Sequence, residues 1–132
     1  MAVEPDQKQI SELTQLAESD GDGPLVMLNL NRYRDREAYA RYGIVALEVL
    51  EKVGGRILWH ADARATVVGG DEETYDEVIA VWYPSAAAFL ALATDSETLA
   101  ARADRIAGLE RAALIRCEGS PEPVLNAEAL AA

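Results

Sequence analysis

An α+β fold, with helices layered on one face of a four-stranded antiparallel sheet, is what this sequence predicts, and three observations predict it. Strand-like and helix-like segments alternate in the order strand, helix, strand, strand, helix, strand between residues 24 and 117. The second and third strands are joined by a glycine-rich acidic stretch, GGDEE, of the kind that closes a hairpin. The third strand-like run, DEVIAVWY, is apolar on both faces, which is the pattern of a central strand.

Each element has its own signal. Pro5 and Asp6 open a short periodic segment with Ile10, Leu13 and Ala17 at helical spacing, and SDGDGP breaks it. Residues 24–33 are rich in Leu, Val and Met and read as the first strand. Asp35 is an N-cap for an amphipathic helix in which Tyr42, Val45, Ala46, Val49 and Val53 recur at three and four residues, closed by Gly54 and Gly55. RILWHADARATVV alternates, with Ile57, Trp59, Ala61, Ala63, Ala65 and Val67 on one side and Leu58, His60, Asp62, Arg64 and Thr66 on the other, which predicts a long strand with one polar face. Ser85 caps the helix AAAFLALA, and TDSE (Thr94 to Glu97) is a second capping box where that helix bends or breaks. Leu99, Ala103 and Ile106 continue the apolar face to Gly108, and LERAALIRC is the last strand. The expected division is an acidic leader helix over 1–23, a core domain over 24–118 and a tail over 119–132 that is an arm or a short helix. The βαββαβ order is the split βαβ, ferredoxin-like arrangement with both helices on one face of the sheet. The opposite face then needs a cover, and a second copy of the domain, sheet against sheet, is the simplest one.

Composition narrows the function. At 132 residues, with half of them hydrophobic, the chain suits one domain with a real core. Twelve Lys and Arg against 23 Asp and Glu give a net charge of −11, which disfavours nucleic acid and anionic membranes as partners. Six of the acids (Glu4, Asp6, Glu12, Glu18, Asp20, Asp22) fall in the first 22 residues. Cys117 is the only cysteine, which suits a reducing compartment, and no stretch approaches a membrane span, so a cytoplasmic protein is expected. One His and one Cys cannot make a zinc or haem site, and neither GG pair opens a helix as a phosphate cradle would, so no cofactor is expected.

The candidate residues are few. His60 is the candidate for proton transfer because only histidine titrates near neutrality unperturbed, and Asp62 and Arg64 at two-residue spacing share its face and could tune it; the bland alternative is an interface or edge-strand residue. Tyr39, Tyr42, Trp59 and Trp82 are candidates for the walls of a ligand pocket floored by Ala61, Ala63 and Ala80, the alternative being close packing of helices on the sheet. Asn29 interrupts the strand LVMLNLNRY and shares a face with Met27, Asn31 and Tyr33. A buried amide costs about 1 to 3 kcal/mol unless it is paired, so a partner subunit, a tyrosine such as Tyr42, water or a ligand must satisfy it. If the stripe Val26, Leu28, Leu30 packs on the helices, Asn29 faces the partner; if the faces are reversed, it lines the pocket. The first arrangement is favoured.

The pieces VMLNLNRYRD, AYARYG, VGGRILWHADARATVVGG, YDEVIAVWYPSAAAFLAL and ALIRC, in that order over roughly residues 24–117, resemble the family called domain of unknown function 1330. The resemblance implies a ferredoxin-like fold that dimerises in the manner of α+β barrel proteins, a group that includes cofactor-free monooxygenases and small-molecule isomerases. It brings no established reaction. Similar proteins tend to carry a His just before the arginine of the second helical region, whereas this chain reads Ala103, Asp104, Arg105. The leading expectation is a homodimer that binds a small organic molecule between helices and sheet. The alternatives are a cofactor-independent enzyme using His60 or a tyrosine hydroxyl, and a purely structural dimerisation module.

Overall fold

The computed structural model describes residues 3–118. Its elements run α1 (Gln7–Ala17), β1 (Leu25–Tyr33), α2 (Arg36–Lys52), β2 (Arg56–Asp62), β3 (Glu77–Tyr83), α3 (Ala86–Thr94), α4 (Ser96–Ala100), α5 (Arg102–Gly108) and β4 (Leu109–Cys117), with a single 3-10 turn at Asp71–Glu73. The strands form one sheet in the order β2-β3-β1-β4, with every neighbouring pair antiparallel. This is the expected ferredoxin-like α+β arrangement, and β3 is central as its two-sided apolar sequence required. The tail over 119–132, expected to be an arm or a short helix, lies outside the described residues.

Local chemistry sets the helix ends. Asp35 accepts from the amides of Glu37 (3.1 Å) and Ala38 (3.2 Å) and so starts α2. At the other end Gly54 takes φ +82, and the amides of Gly54 and Gly55 donate back to the carbonyls of Glu51 and Leu50, a Schellman closure. Ser85 caps α3 through the amide of Ala88 (3.0 Å), and the Asp22 carboxylate accepts from Ala86 N (2.7 Å) and Ala87 N (3.1 Å) at the same helix start. The helical region does break after Thr94, but Asp95 is the cap there, accepting from Glu97 N at 2.9 Å, in place of the expected box at Thr94.

One face of the sheet is covered. Leu25 and Met27 of β1 and Val81 and Tyr83 of β3 pack with Val49 and Leu50 of α2 and Ala86 and Leu92 of α3, and Leu13, Leu16 and Ala17 of α1 close over this core. Because side chains alternate, the covered face also carries Asn29, Asn31 and Tyr33, while Val26, Leu28 and Leu30 look the other way. The favoured sequence reading, with that aliphatic stripe on the helices, is therefore reversed.

Among the described residues no helix covers the opposite face, and the loop between β2 and β3 lies over only its Leu30 and Val78 end. It presents Val26, Leu28 and Leu30 of β1, Val78, Ala80 and Trp82 of β3, Trp59 and Ala61 of β2, and Ala113, Ile115 and Cys117 of β4. Trp59 is 50% exposed and Ile115 48%. The expected strand over RILWHADARATVV is shorter, ending at Asp62, and a bulge between Ile57 and Trp59 inserts one residue into it. That insertion puts Ile57 on the helix side and Trp59 and Ala61 on the open side, so the expected single alternating stripe does not hold.

Candidate functional site

At the end of the covered face away from the aliphatic core, polar and aromatic side chains replace Leu and Val. Asn31, only 2% exposed, donates from Nδ2 to the hydroxyls of Tyr33 (3.3 Å) and Tyr39 (3.2 Å). The Tyr33 hydroxyl donates to Glu77 Oε1, and Glu77 Oε2 lies 3.2 Å from His60 Nδ1. An unbroken hydrogen-bonded chain thus runs from a solvent-exposed imidazole on β2, through a carboxylate on β3, to a phenol and an amide on β1 and a second phenol on α2. Strand register explains the junction: Glu77 pairs with Asn31 on one side and Asp62 on the other, which places it diagonal to His60 on the same face.

Aromatic rings pack side by side around this chain. Tyr33 and Tyr39 have centroids 5.0 Å apart, Tyr39 and Tyr42 5.6 Å, and the Arg36 guanidinium stands 4.7 Å over the Tyr33 ring. Gly108 makes the arrangement possible: a Cβ there would lie 2.6 Å from Tyr39 N, so α5 touches the first turn of α2 backbone to backbone. The Gly108 carbonyl also accepts from the amides of Arg34 and Asp35, fixing the corner from which Tyr39 projects.

Burial raises the pKa of all three phenols. For Tyr33 the hydrogen bond to the Glu77 carboxylate adds to the effect, because that bond requires the phenol proton. For Tyr39 the neighbouring Tyr42 adds to it. For Tyr42 the nearby Arg105 guanidinium opposes burial by favouring the ionised form, and Glu4 partly restores the shift. The site therefore presents neutral hydroxyls at physiological pH, able to donate as well as accept, with the Arg36 and Arg105 guanidinium groups beside them.

The sequence-derived candidates are divided by the sheet. Asn29, Tyr39 and Tyr42 lie on the helix side, and the Asn29 amide donates to the strand carbonyls of Met27 (3.2 Å) and Ile79 (3.4 Å), so its own and the neighbouring strand satisfy it. Trp59 and Trp82 pair into the opposite face, so the pocket walled jointly by tyrosines and tryptophans does not form as expected. His60 lies on the helix side of β2 with its side chain 67% exposed; its partner is Glu77, while Arg64 and Asp62 pair with each other at 3.2 Å. Sequence reasoning missed Glu77, Tyr33 and Arg105 as site residues. Glu77 had a signal, as an acid inside an otherwise apolar strand, and Asn31 and Tyr33 had the two-residue spacing from Asn29.

Two concavities lie elsewhere. One of about 180 Å³ sits under the loop between β2 and β3, lined by Leu30, Ala63, Tyr75 and Val78 among others. That loop is tied down by Arg111, which donates to the carbonyls of Asp71 (2.8 Å) and Thr74 and stacks 4.9 Å over Tyr75. The other is a shallow groove of about 400 Å³ between α2 and the α4–α5 segment, bordered by Glu48, Glu97 and Asp104. Neither takes in Asn29, Tyr39, Tyr42, Trp59 or Trp82.

Comparison with known proteins accords with this geometry. The RPA0582 protein of Rhodopseudomonas palustris, described as of unknown function, is 30% identical, with 92% of this chain and 98% of that chain covered and a TM-score of 0.80. A dabb family protein with a ferredoxin-like fold from Mesorhizobium loti is 12% identical over 74% of this chain and 98% of its own, with a TM-score of 0.55. A candidate antibiotic biosynthesis monooxygenase from Bacteroides thetaiotaomicron is 16% identical over 79% and 95%, with a TM-score of 0.51. These last two likenesses are of fold alone. No curated protein matches the chain. The model of the domain of unknown function DUF1330 matches residues 25–119, which take in the whole sheet and helices α2 to α5, and the chain belongs to that family.

Proposed function

We propose that this protein binds a small organic molecule between its helices and sheet, at the Asn31, Tyr33, Tyr39, Tyr42 cluster, and that it works as a homodimer joined through the open sheet face. The observation that carries the binding reading is the concentration of hydrogen-bonding side chains and ring walls at one end of an otherwise aliphatic layer. Neutral tyrosine hydroxyls beside an amide and a guanidinium suit a ligand with a planar body and one or two polar groups. A core built for stability alone gains more from aliphatic packing there than from buried polar groups that must each find a partner.

The dimer reading rests on the open face. Tryptophan, leucine, isoleucine and valine side chains spread over four strands make an apolar surface with few charges, on a chain of net charge −11. Light scattering on a size-exclusion column tests it: the protein should elute as a dimer, and Ile115→Glu, a charge placed on that face, should make it a folded monomer. A monomeric parent protein would end the dimer reading.

For the binding site, a thermal-shift screen of small aromatic and carbonyl compounds should yield stabilising hits whose effect is reduced about tenfold in affinity by Asn31→Ala. Hits indifferent to Asn31→Ala would refute the location. A second reading, acid–base catalysis without a cofactor, is favoured by one specific feature, the His60–Glu77–Tyr33 chain leading from solvent to a half-buried phenol. On that reading His60→Gln abolishes turnover of a bound substrate while leaving its affinity intact, and equal turnover would remove His60 from the chemistry.

A further inference from the structure

A carboxylate from outside the family domain reaches this cluster. Glu4 accepts from Arg102 in a two-pronged fork, Nε to Oε1 at 3.2 Å and Nη2 to Oε2 at 3.1 Å, and its Oε1 also lies 3.6 Å from Arg105 Nη1. Arg105 donates to the Val3 carbonyl as well, so residues 3 and 4 together lie over the two guanidinium groups. Arg105 is mostly covered, its side chain 22% exposed, and it stands beside the Tyr42 hydroxyl. The family match begins at residue 25, so both arginines belong to the matched domain and their carboxylate does not. Among the described residues, no carboxylate of the matched domain is paired with either arginine.

Two features argue that Glu4 is more than an anchor for the leader. Helix α1 is held without it, by Leu13, Leu16 and Ala17 against the core, and its start is closed by the reciprocal Asp6–Gln9 capping box. The chain is also strongly acidic overall, so two guanidinium groups converging beside a tyrosine cluster form a local exception that favours an anion.

We infer that Arg102 and Arg105 are the anchor for a ligand carboxylate, that the rings of Tyr39 and Tyr42 flank the body of that ligand, and that Glu4 is a tethered stand-in which the ligand displaces. The ligand class is a small organic acid with a planar or aromatic body. This rests on the reading above that the tyrosine cluster binds a small molecule. Exchange is easy on energetic grounds: Arg102 is 56% exposed and Glu4 35%, and an ion pair that exposed shifts an equilibrium by a factor of roughly 1.5 to 5. Removing the competitor should then raise ligand affinity by about two- to sixfold.

The test uses the full chain and two isosteric probes, benzoate and its neutral counterpart benzamide, followed by amide chemical shifts in nuclear magnetic resonance titrations. Benzoate should move the signals of Tyr42 and Arg105, bind about two- to sixfold more tightly to Glu4→Gln, and bind about tenfold more weakly to Arg105→Met. Arg102→Met, at an exposed position, provides a second variant should loss of Arg105 disturb folding, and it should weaken benzoate in the same direction. Benzamide should be indifferent to Glu4→Gln. Unchanged benzoate affinity in Glu4→Gln would overturn the displacement. Equal binding of benzamide and benzoate in every variant would overturn the carboxylate anchor while leaving the tyrosine site standing. Signals of Tyr39 and Tyr42 that neither probe moves would count against both.

Discussion

Gly43 and Gly108 offer the same substitution with opposite expected signs. Both are helical, and replacing glycine by alanine in a helix stabilises by roughly 0.5 to 1 kcal/mol when nothing obstructs the new methyl group. At Gly43, in the middle of α2, a Cβ would meet nothing within 4 Å, so Gly43→Ala should gain that amount in full. At Gly108 the Cβ would sit 2.6 Å from Tyr39 N, 2.8 Å from Tyr39 Cβ and 2.9 Å from Tyr39 Cα. Two of those atoms are backbone, so no rotamer change relieves the overlap, and α5 must draw back from α2. Overpacking of this kind costs about 1 to 3 kcal/mol, occasionally more, which outweighs the entropic gain and leaves Gly108→Ala destabilised by about 1 to 2 kcal/mol. Urea unfolding at matched protein concentration separates the two variants through their midpoints at constant slope. A Gly108→Ala protein as stable as its parent would refute the claim that α5 and α2 meet backbone to backbone, and with it the account of how Tyr39 is aimed at Asn31.

Other expectations follow from the same geometry. Tyr33, Tyr39, Tyr42 and Tyr83 all have pKa values raised above their ordinary 10.0 by burial, so the fold favours the protonated phenols. Their contribution to stability is complete below pH 10 and is lost as pH rises past it towards their folded values, which a series of denaturation midpoints against pH will show together with delayed tyrosinate absorbance; tyrosines that titrate normally in the folded protein would contradict it. Asn31→Leu removes both amide bonds to tyrosine hydroxyls at 3.2 and 3.3 Å and should cost about 1 to 3 kcal/mol by chemical denaturation, with an undiminished midpoint as the adverse result. Asp22→Ala strips the carboxylate from the start of α3, where it meets amides at 2.7 and 3.1 Å, and should cost about 1 to 2 kcal/mol; hydrogen exchange at Ala86 and Ala87 should rise with it, and unchanged exchange would count against the cap.

Much of the fold was legible because local chemistry and topology agreed. Asp35, Ser85 and the Gly54–Gly55 pair act at helix ends as their types require, and LERAALIRC is the last strand residue for residue. What misled was the count of apolar residues on the two faces of β1. Val26, Leu28 and Leu30 form the more uniformly aliphatic stripe, and that stripe belongs to the uncovered face, while the helix-covered face tolerates Asn29 and Asn31 because strand carbonyls and two tyrosine hydroxyls receive their amides. The bulge in β2 was illegible for a related reason. A one-residue insertion leaves the alternation of residue types intact on paper and exchanges the faces after it, so Trp59 parts company with Ile57 and His60 joins the helix side. Glu77 became visible as a site residue only once the register placed it between Asn31 and Asp62 and within reach of His60.

The division of the aromatic residues between two faces makes the proposed functions separable. Trp59 and Trp82 lie on the open face, with Arg56 stacked 5.5 Å over the Trp82 ring, whereas Tyr39 and Tyr42 lie across the sheet among the helices. A sheet is a rigid, close-packed partition, and effects of substitutions on its two sides add when the residues share no partners. Trp59→Ala, which removes a half-exposed indole from the open face, should therefore weaken dimerisation and leave the affinity of a bound small molecule within a factor of about two. Tyr42→Phe should do the converse, lowering ligand affinity with the dimer dissociation constant unchanged. Analytical ultracentrifugation and ligand titration on the two single variants and the double variant form a cycle that reads the coupling directly. A large coupling would mean that the partner subunit reaches the tyrosine cluster, and the site would then have to be redrawn as one shared between two chains.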